Sequence, residues 1–356
     1  MPPPRAAEAP RRGRAWKIAA ILLMVVLVFS LLGNFSQLTG NLLFQRRLTK
    51  HREMILQEIV VEDNDAKKKI AVVDVEGIIM SGAADRGGES MVKFIQEQLK
   101  IAKDDADVKA VILRVDSPGG EVLAADEIYN SIKEFQRKSG KPVIASMGSL
   151  AASGGYYVSA PCQWIVANDL TITGSIGVIM HGLNYRGLMD KIGLRPEVYK
   201  SGKFKDMLSP DKKEEEITPE ERKMVQDLIE ETFGRFKDVV AEGREDAHKK
   251  HPKGQKLSAK WQEYADGRIL SGKQAYELGF VDDLGNFDKA VERAKELANF
   301  QHGEPANLIE YRIPFDLSNL FRLFGKSEAQ SIKVELGGNA PKLQRGHLYF
   351  LLPTVL

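Results

Sequence analysis

From Ile18 to Leu32 the chain reads IAAILLMVVLVFSLL, and no charged residue falls between Lys17 and Arg46. The run is apolar on every side, unlike the one-sided stripe of a helix lying on a globular core. With its uncharged continuation to Phe35 it is long enough to cross most of a hydrocarbon layer of about 30 Å. Arg11, Arg12, Arg14 and Lys17 precede it, and basic flanks stay on the cytoplasmic side. The pattern therefore predicts a cytoplasmic tail over 1–16, a transmembrane signal-anchor over 17–36, and everything after it outside the cytoplasm. A cleaved signal peptide is the competing reading. Its small-residue cleavage signature is missing from Gly33-Asn34-Phe35-Ser36-Gln37.

Residues 37–68 turn polar and then charged, as a stalk would. Beyond them, short apolar runs alternate with segments of helical spacing. Strands are predicted at 70–75, 109–115, 142–147 and around 164–167. Helices are predicted over 90–103, with Met91, Phe94, Ile95, Leu99 and Ile101 on the covered face, and over 121–135 and near 185–192. Arg195 to Ser201 reads as a further strand. Thr218-Pro219-Glu220-Glu221 opens a long helix toward Glu242: threonine caps, proline fits the first helical position, and acids follow. Helices over 271–278 and 286–297 complete a domain spanning 69–299. Strands alternating with helices predict an α/β fold with a largely parallel sheet. Residues 300–356 form an extension punctuated by Pro, Gly and Asn. It ends on an apolar, strand-like string from His347 to Leu356, to which composition assigns no role.

At 356 residues and 43% apolar, the chain can bury a sizeable core. Its 51 basic and 49 acidic residues leave a formal charge of +2, so bulk charge does not favour nucleic acid. The single cysteine, Cys162, excludes an intramolecular disulfide framework and reads as a buried small hydrophobe. No metal-ligand spacing, phosphate-cradling loop or base-stacking aromatic stripe is present, so no metal, cofactor or nucleic-acid partner is expected.

The candidate chemistry lies in Gly148-Ser149-Leu150-Ala151-Ala152-Ser153-Gly154-Gly155. Ser153 stands where a strand gives way to a helix, and the glycines after it permit an unusual backbone and close approach. Ser149 reads as a cap of the turn. Ser117-Pro118-Gly119-Gly120 sits at another strand end, where glycine amides could face the same cleft. A serine nucleophile needs a base. Of the six histidines only His181 falls near the site. Lys200, Lys203 and Lys205 compete instead in Tyr199-Lys200-Ser201-Gly202-Lys203-Phe204-Lys205-Asp206. A lysine acts as a base near neutrality when its pKa falls from about 10.4 to roughly 7–8. Phe204, Met207 and Leu208 would shield the Lys205 amine from water. Thr173-Gly174-Ser175-Ile176-Gly177 is a third tight turn, while Asp116, Asp266 and Asp282 read as caps and ion-pair members.

Taken together these segments resemble the signal peptide peptidase A family in its short, single-repeat form, over roughly Ile70 to Ala298. The resemblance implies a fold like that of Clp proteases and crotonases, and a Ser-Lys dyad of Ser153 and Lys205. It also implies Ser175 as the residue that positions the lysine, and the amides of Gly120 and Gly154 as the oxyanion hole. By the same resemblance the substrates are remnant signal peptides and other unfolded or membrane-proximal polypeptides, with apolar pockets for small or aliphatic side chains. The protein would be a homo-oligomeric ring on the extracytoplasmic side of a bacterial cell membrane. A non-catalytic membrane-assembly scaffold and an acyl-CoA-binding crotonase-like protein are the alternative readings.

Overall fold

The computed structural model describes residues 56–82, 90–314 and 348–351, together with Leu23, Met24, Leu27, Ser30 and Met54. The chain divides into two units, Met1–Met54 and Ile55–Leu356. In the first, Leu23, Met24, Leu27 and Ser30 are helical and exposed; the rest of the expected span over 17–36 lies outside the described residues. Among the described residues no helix is long and apolar enough to cross a membrane.

The second unit is built on a sheet whose spine is largely parallel. Its strands are β1 (Gln57–Glu62), β2 (Lys69–Glu76), β3 (Val108–Ser117), β5 (Val143–Ala151), β6 (Trp164–Ala167), β9 (Asp283–Leu284) and β10 (Asn307–Arg312). They lie in the order β1-β10-β2-β3-β5-β6-β9, with β1 alone antiparallel to its neighbour. Short strands β7 (Ile172–Gly174) and β8 (Ile269–Ser271) branch off β5. The expected α/β class with a mostly parallel sheet is what forms.

Parallel strands covered on both faces are apolar throughout rather than alternating, and β3 shows it. Val111, Leu113 and Val115 enter one core, Ala110 and Ile112 the other. The larger core lies under α1 (Met91–Asp104), α2 (Val122–Ser139), α3 (Gly154–Ser159) and α5 (Pro219–Lys250). The smaller lies under α7 (Phe287–Leu297), through Ala290 and Ala294. Ser90 caps α1 through the Lys93 amide. Cys162 is fully buried, and burial pushes its thiol up to about 12.

Two segments read as accessories add to the sheet. Gln57–Glu62, from the expected stalk, and Asn307–Arg312, from the expected extension, form its edge next to β2. Arg195 to Ser201, by contrast, forms no strand. Leu194, Val198 and Tyr199 are exposed there, and among the described residues no neighbouring strand supplies a ladder or a covered face. The segment belongs to an arm of loops around α4 (Arg186–Lys191), a helix with no buried residue.

The long helix α5 starts as its composition requires. The Thr218 side chain accepts from the Glu221 amide, the Glu221 carboxylate accepts from the Thr218 amide, and Pro219 opens the first turn. Its buried face begins in earnest at Phe236 and continues through Val239, Val240, Gly243, Arg244 and Ala247. Before that the helix is largely exposed, so the cap does not anchor the whole domain. Thr218→Ala should cost about 1 kcal/mol locally. It should appear as faster amide hydrogen exchange over 219–225, with little change in the global unfolding midpoint.

Candidate active site

Strand β5 delivers the chain to Ala152 and Ser153, and α3 leaves at once. Ser153 adopts φ 54° and ψ −116°, a region that residues other than glycine enter at a cost of about 1–3 kcal/mol. Backbone bonds hold it there. The Ser153 N–H donates to the Gly174 carbonyl at 2.8 Å, and the flanking Ala152 N–H donates to the Ser117 carbonyl at 3.1 Å. The Tyr157 N–H donates to the Ser153 carbonyl at 2.9 Å. Ser153 is 1% exposed, and its Oγ has no hydrogen-bond partner among the described residues. Strain and an unsatisfied buried hydroxyl in one residue are costs that a structural serine would shed.

The glycine turn beside it is built by Ser117. Its hydroxyl donates to the Gly77 carbonyl at 2.6 Å and accepts from the Gly119 N–H at 3.1 Å. Next comes β4 (Gly119–Glu121), paired to Ile79. The Ile79 N–H donates to the Gly119 carbonyl at 2.9 Å, and the Glu121 N–H donates to the Ile79 carbonyl at 2.8 Å. Backbone groups of successive strand residues point to opposite edges, so the Gly120 N–H faces away from Ile79. It faces Gly154, where an added Cβ would sit 3.1 Å from the Gly120 nitrogen. Position 120 itself admits only glycine, because a Cβ there would lie 1.9 Å from the Ile79 carbonyl oxygen.

Ser175 follows Gly174, whose carbonyl fixes Ser153. It is 4% exposed, holds φ 50°, and donates its N–H to the Arg268 carbonyl at 2.7 Å. Gly154 and Gly120 thus stand against each other next to Ser153, and Ser175 follows the residue whose carbonyl holds the Ser153 backbone.

The lysines lie apart, on the arm. The Lys200 amine bonds both carboxylate oxygens of Asp206 at 2.7 Å, which holds the Asp206 carboxyl below the usual carboxylate range. Lys203 pairs with Glu220. Lys205 is exposed and makes no ion pair among the described residues, and it is not on the Ser153 hydroxyl. His181 is exposed as well. The three aspartates act as caps and ion-pair members: Asp116 accepts from the Leu150 N–H at 3.1 Å, Asp266 pairs with Arg268, and Asp282 pairs with Arg244.

One occupant of the site was not assigned from sequence. β11 (Tyr349–Leu351) runs antiparallel to β4, with Phe350 opposite Gly120. On its other edge Tyr349 exchanges two backbone bonds with Ile179, each 3.0 Å. The signal was the apolar terminal string itself, but nothing local says which groove such a string fills.

Two family models match this chain: peptidase family S49 over residues 135–301 and Clp protease over 63–162. A candidate protease of Synechocystis is 41% identical over 232 residues, covering 65% of this chain and 75% of that one. A candidate signal peptide peptidase SppA of Enterococcus faecium is 38% identical over 264 residues, covering 72% and 71%. Protease 4 of Haemophilus influenzae is 35% identical over 252 residues, which is 67% of this chain and 36% of that longer protein. With relatives this similar along most of both chains, and a Clp protease-like α/β sheet beneath the glycine turns, the chain belongs to peptidase family S49, the family of signal peptide peptidase A, and is a serine peptidase.

Proposed function

We propose that the chain is a membrane-anchored endopeptidase that degrades remnant signal peptides and other unfolded or membrane-proximal polypeptides with a Ser-Lys dyad. Ser153 attacks the substrate carbonyl while Lys205 takes its proton. The Gly120 and Gly154 amides stabilise the oxyanion, worth about 10²–10³ in rate per donor, and Ser175 positions the amine. The acyl-enzyme is then hydrolysed by water. The observation that carries this reading is Ser153 itself: buried, without a hydrogen-bond partner for its hydroxyl among the described residues, and at φ 54°, with the next residue, Gly154, packed against the Gly120 nitrogen. Among the lysines, Lys200 and Lys203 are each held by a carboxylate, Asp206 and Glu220. Lys205 faces none. The apolar segment 17–36 serves as the anchor, with the peptidase unit on the extracytoplasmic side.

A lysine on an exposed arm and a serine hydroxyl without a partner among the described residues fit a ring in which one copy supplies the amine to the next. The arm's surface supports this. Leu183, Leu188, Ile192, Val198 and Tyr199 are 55–92% exposed, an apolar display that marks a protein–protein contact.

Peptide hydrolysis by Lys205→Ala, Lys200→Ala and Lys203→Ala tests the base. Lys205→Ala should fall by about 10²–10⁴-fold, the usual worth of a general base, while the other two stay within severalfold. Loss in Lys200→Ala alone would move the role to that residue. Co-expressing Ser153→Ala and Lys205→Ala chains should restore about a quarter of wild-type activity, the chance that a random pair of neighbours supplies both groups. Inactive mixtures would mean that serine and lysine meet within one chain.

A further inference from the structure

We infer that Lys212, which bridges the carboxylates of Asp206 and Glu221, is a positioning residue for the reaction: it ties the turn carrying Lys205 to the start of α5 and so sets where the Lys205 amine is presented. This role rests on the reading of Lys205 as the base, and deepens it.

Lys205 sits on a run of tight turns. Its N–H donates to the Gly202 carbonyl at 3.2 Å, the Met207 N–H to the Phe204 carbonyl at 3.0 Å, and the Ser209 N–H to the Asp206 carbonyl at 3.0 Å. Bonds between residues three apart shape a turn but do not fix its place in the molecule. Charged side chains fix the place. The Lys200 amine, already on both Asp206 oxygens, also donates to the Lys203 carbonyl at 3.2 Å. Asp206 lies 3.5 Å from the Lys212 amine, and that amine donates to the Glu221 carboxylate at 2.5 Å. The other Glu221 oxygen accepts from the Thr218 N–H at 3.1 Å, at the cap of α5. Charges of alternating sign thus run from the turn around Lys205 to the first turn of a long helix.

Lys212 is the centre of this line. The side chains of Asp206, Lys212 and Glu221 are 16%, 10% and 5% exposed, so water screens them less than a surface pair. The bond to Glu221 raises the Lys212 amine above its ordinary range, and the bonds to Lys200 and Lys212 hold Asp206 and Glu221 below theirs. All three are therefore charged at neutral pH. Without the Lys212 amine, two carboxylates would face each other with no cation between them, and like charges repel. The Lys212 backbone has a separate hold, because its carbonyl accepts from the Asn184 Nδ2 at 2.9 Å. Loss of the amine therefore frees the Lys205 turn without releasing Lys212 itself. The line grips the chain on both sides of Lys205 and leaves that amine out of every ion pair among the described residues. A base must be placed closely, since a shift of about 1 Å can cost about 10²-fold in rate.

Peptide hydrolysis by the full chain tests this with Lys212→Met, Lys212→Arg and Lys223→Met, the last an exposed lysine of the same helix that pairs with Asp227. Lys212→Met should lower kcat by about 10- to 100-fold with KM within about threefold, as expected for a misplaced base. Lys212→Arg keeps a cation between the carboxylates and should retain at least about a third of kcat, and Lys223→Met should match wild type. The thermal midpoint should barely move, because the buried face of α5 begins only at Phe236. In a Lys205→Ala background, Lys212→Met should cost less than about twofold more, since a residue acting through Lys205 has nothing left to act on. A full further loss in that background, an arginine variant as poor as the methionine one, or a wild-type rate in Lys212→Met overturns the inference and leaves Lys205 as the base. Wild-type activity in Lys205→Ala overturns both.

Discussion

Ser153→Ala should lower kcat/KM for peptide hydrolysis by about 10⁴- to 10⁶-fold, the loss seen when a serine peptidase gives up its nucleophile, while leaving the fold at least as stable. The two halves of this expectation come from the same geometry. The hydroxyl is buried without a partner among the described residues, so removing it relieves a cost of about 1–3 kcal/mol instead of breaking a bond. The backbone strain at φ 54° stays, because alanine feels it as serine does. Neighbouring serines do not share this position. Ser159 donates its hydroxyl to the Gly155 carbonyl at 2.8 Å, and Ser149 is exposed on β5. Ser149→Ala should therefore retain wild-type activity. Measuring kcat/KM and the thermal midpoint of both variants checks the expectation. It fails if Ser153→Ala keeps more than about a hundredth of the activity, or if its loss tracks a fallen midpoint.

Local rules made most of the scaffold legible. The run KAVILRV at 109–115 could only be a strand buried on both faces, and Thr218 with Pro219 could only start a helix. The glycines around Ser153 announced a turn, though not its positive φ, which arises from bonds to Gly174 and Ser117 in distant segments. What stayed hidden depends on pairing over long separations. β1 and β10 meet across roughly 250 residues of chain, and nothing in either segment names the other. Arg195 to Ser201 has strand composition but no neighbour to pair with, so propensity alone misleads there. Phe350 is the same lesson at the site: an apolar terminus is visible, but its groove is made by Gly120, Ile179, Tyr157 and Phe236 together.

Arg244 was hidden in a different way, as one charge among many in a polar stretch of α5. It is fully buried, donates from Nη1 to the Cys162 carbonyl at 3.1 Å, and pairs through Nη2 with Asp282. Asp282 also accepts from the Ile165 N–H at 2.8 Å and the Gln255 N–H at 3.2 Å. Arg244→Ala would leave that carboxylate charged and sealed from water, a loss of about 3–5 kcal/mol. Against a total stability of about 5–15 kcal/mol this is a large share. Arg244→Lys should recover little of it, since an ammonium on a single stem cannot serve both Cys162 and Asp282 as the guanidinium fork does. The expected result is a clear fall in the urea midpoint for both variants, and an unchanged midpoint would refute the role. Activity below the transition should hold within about tenfold, because Ser153 and Gly120 ride on β5 and β4, while Arg244 seats α5. The pair would then separate stability from catalysis. A variant that lost activity first would mean instead that α5, through Phe236 against Tyr157, sets the position of the nucleophile.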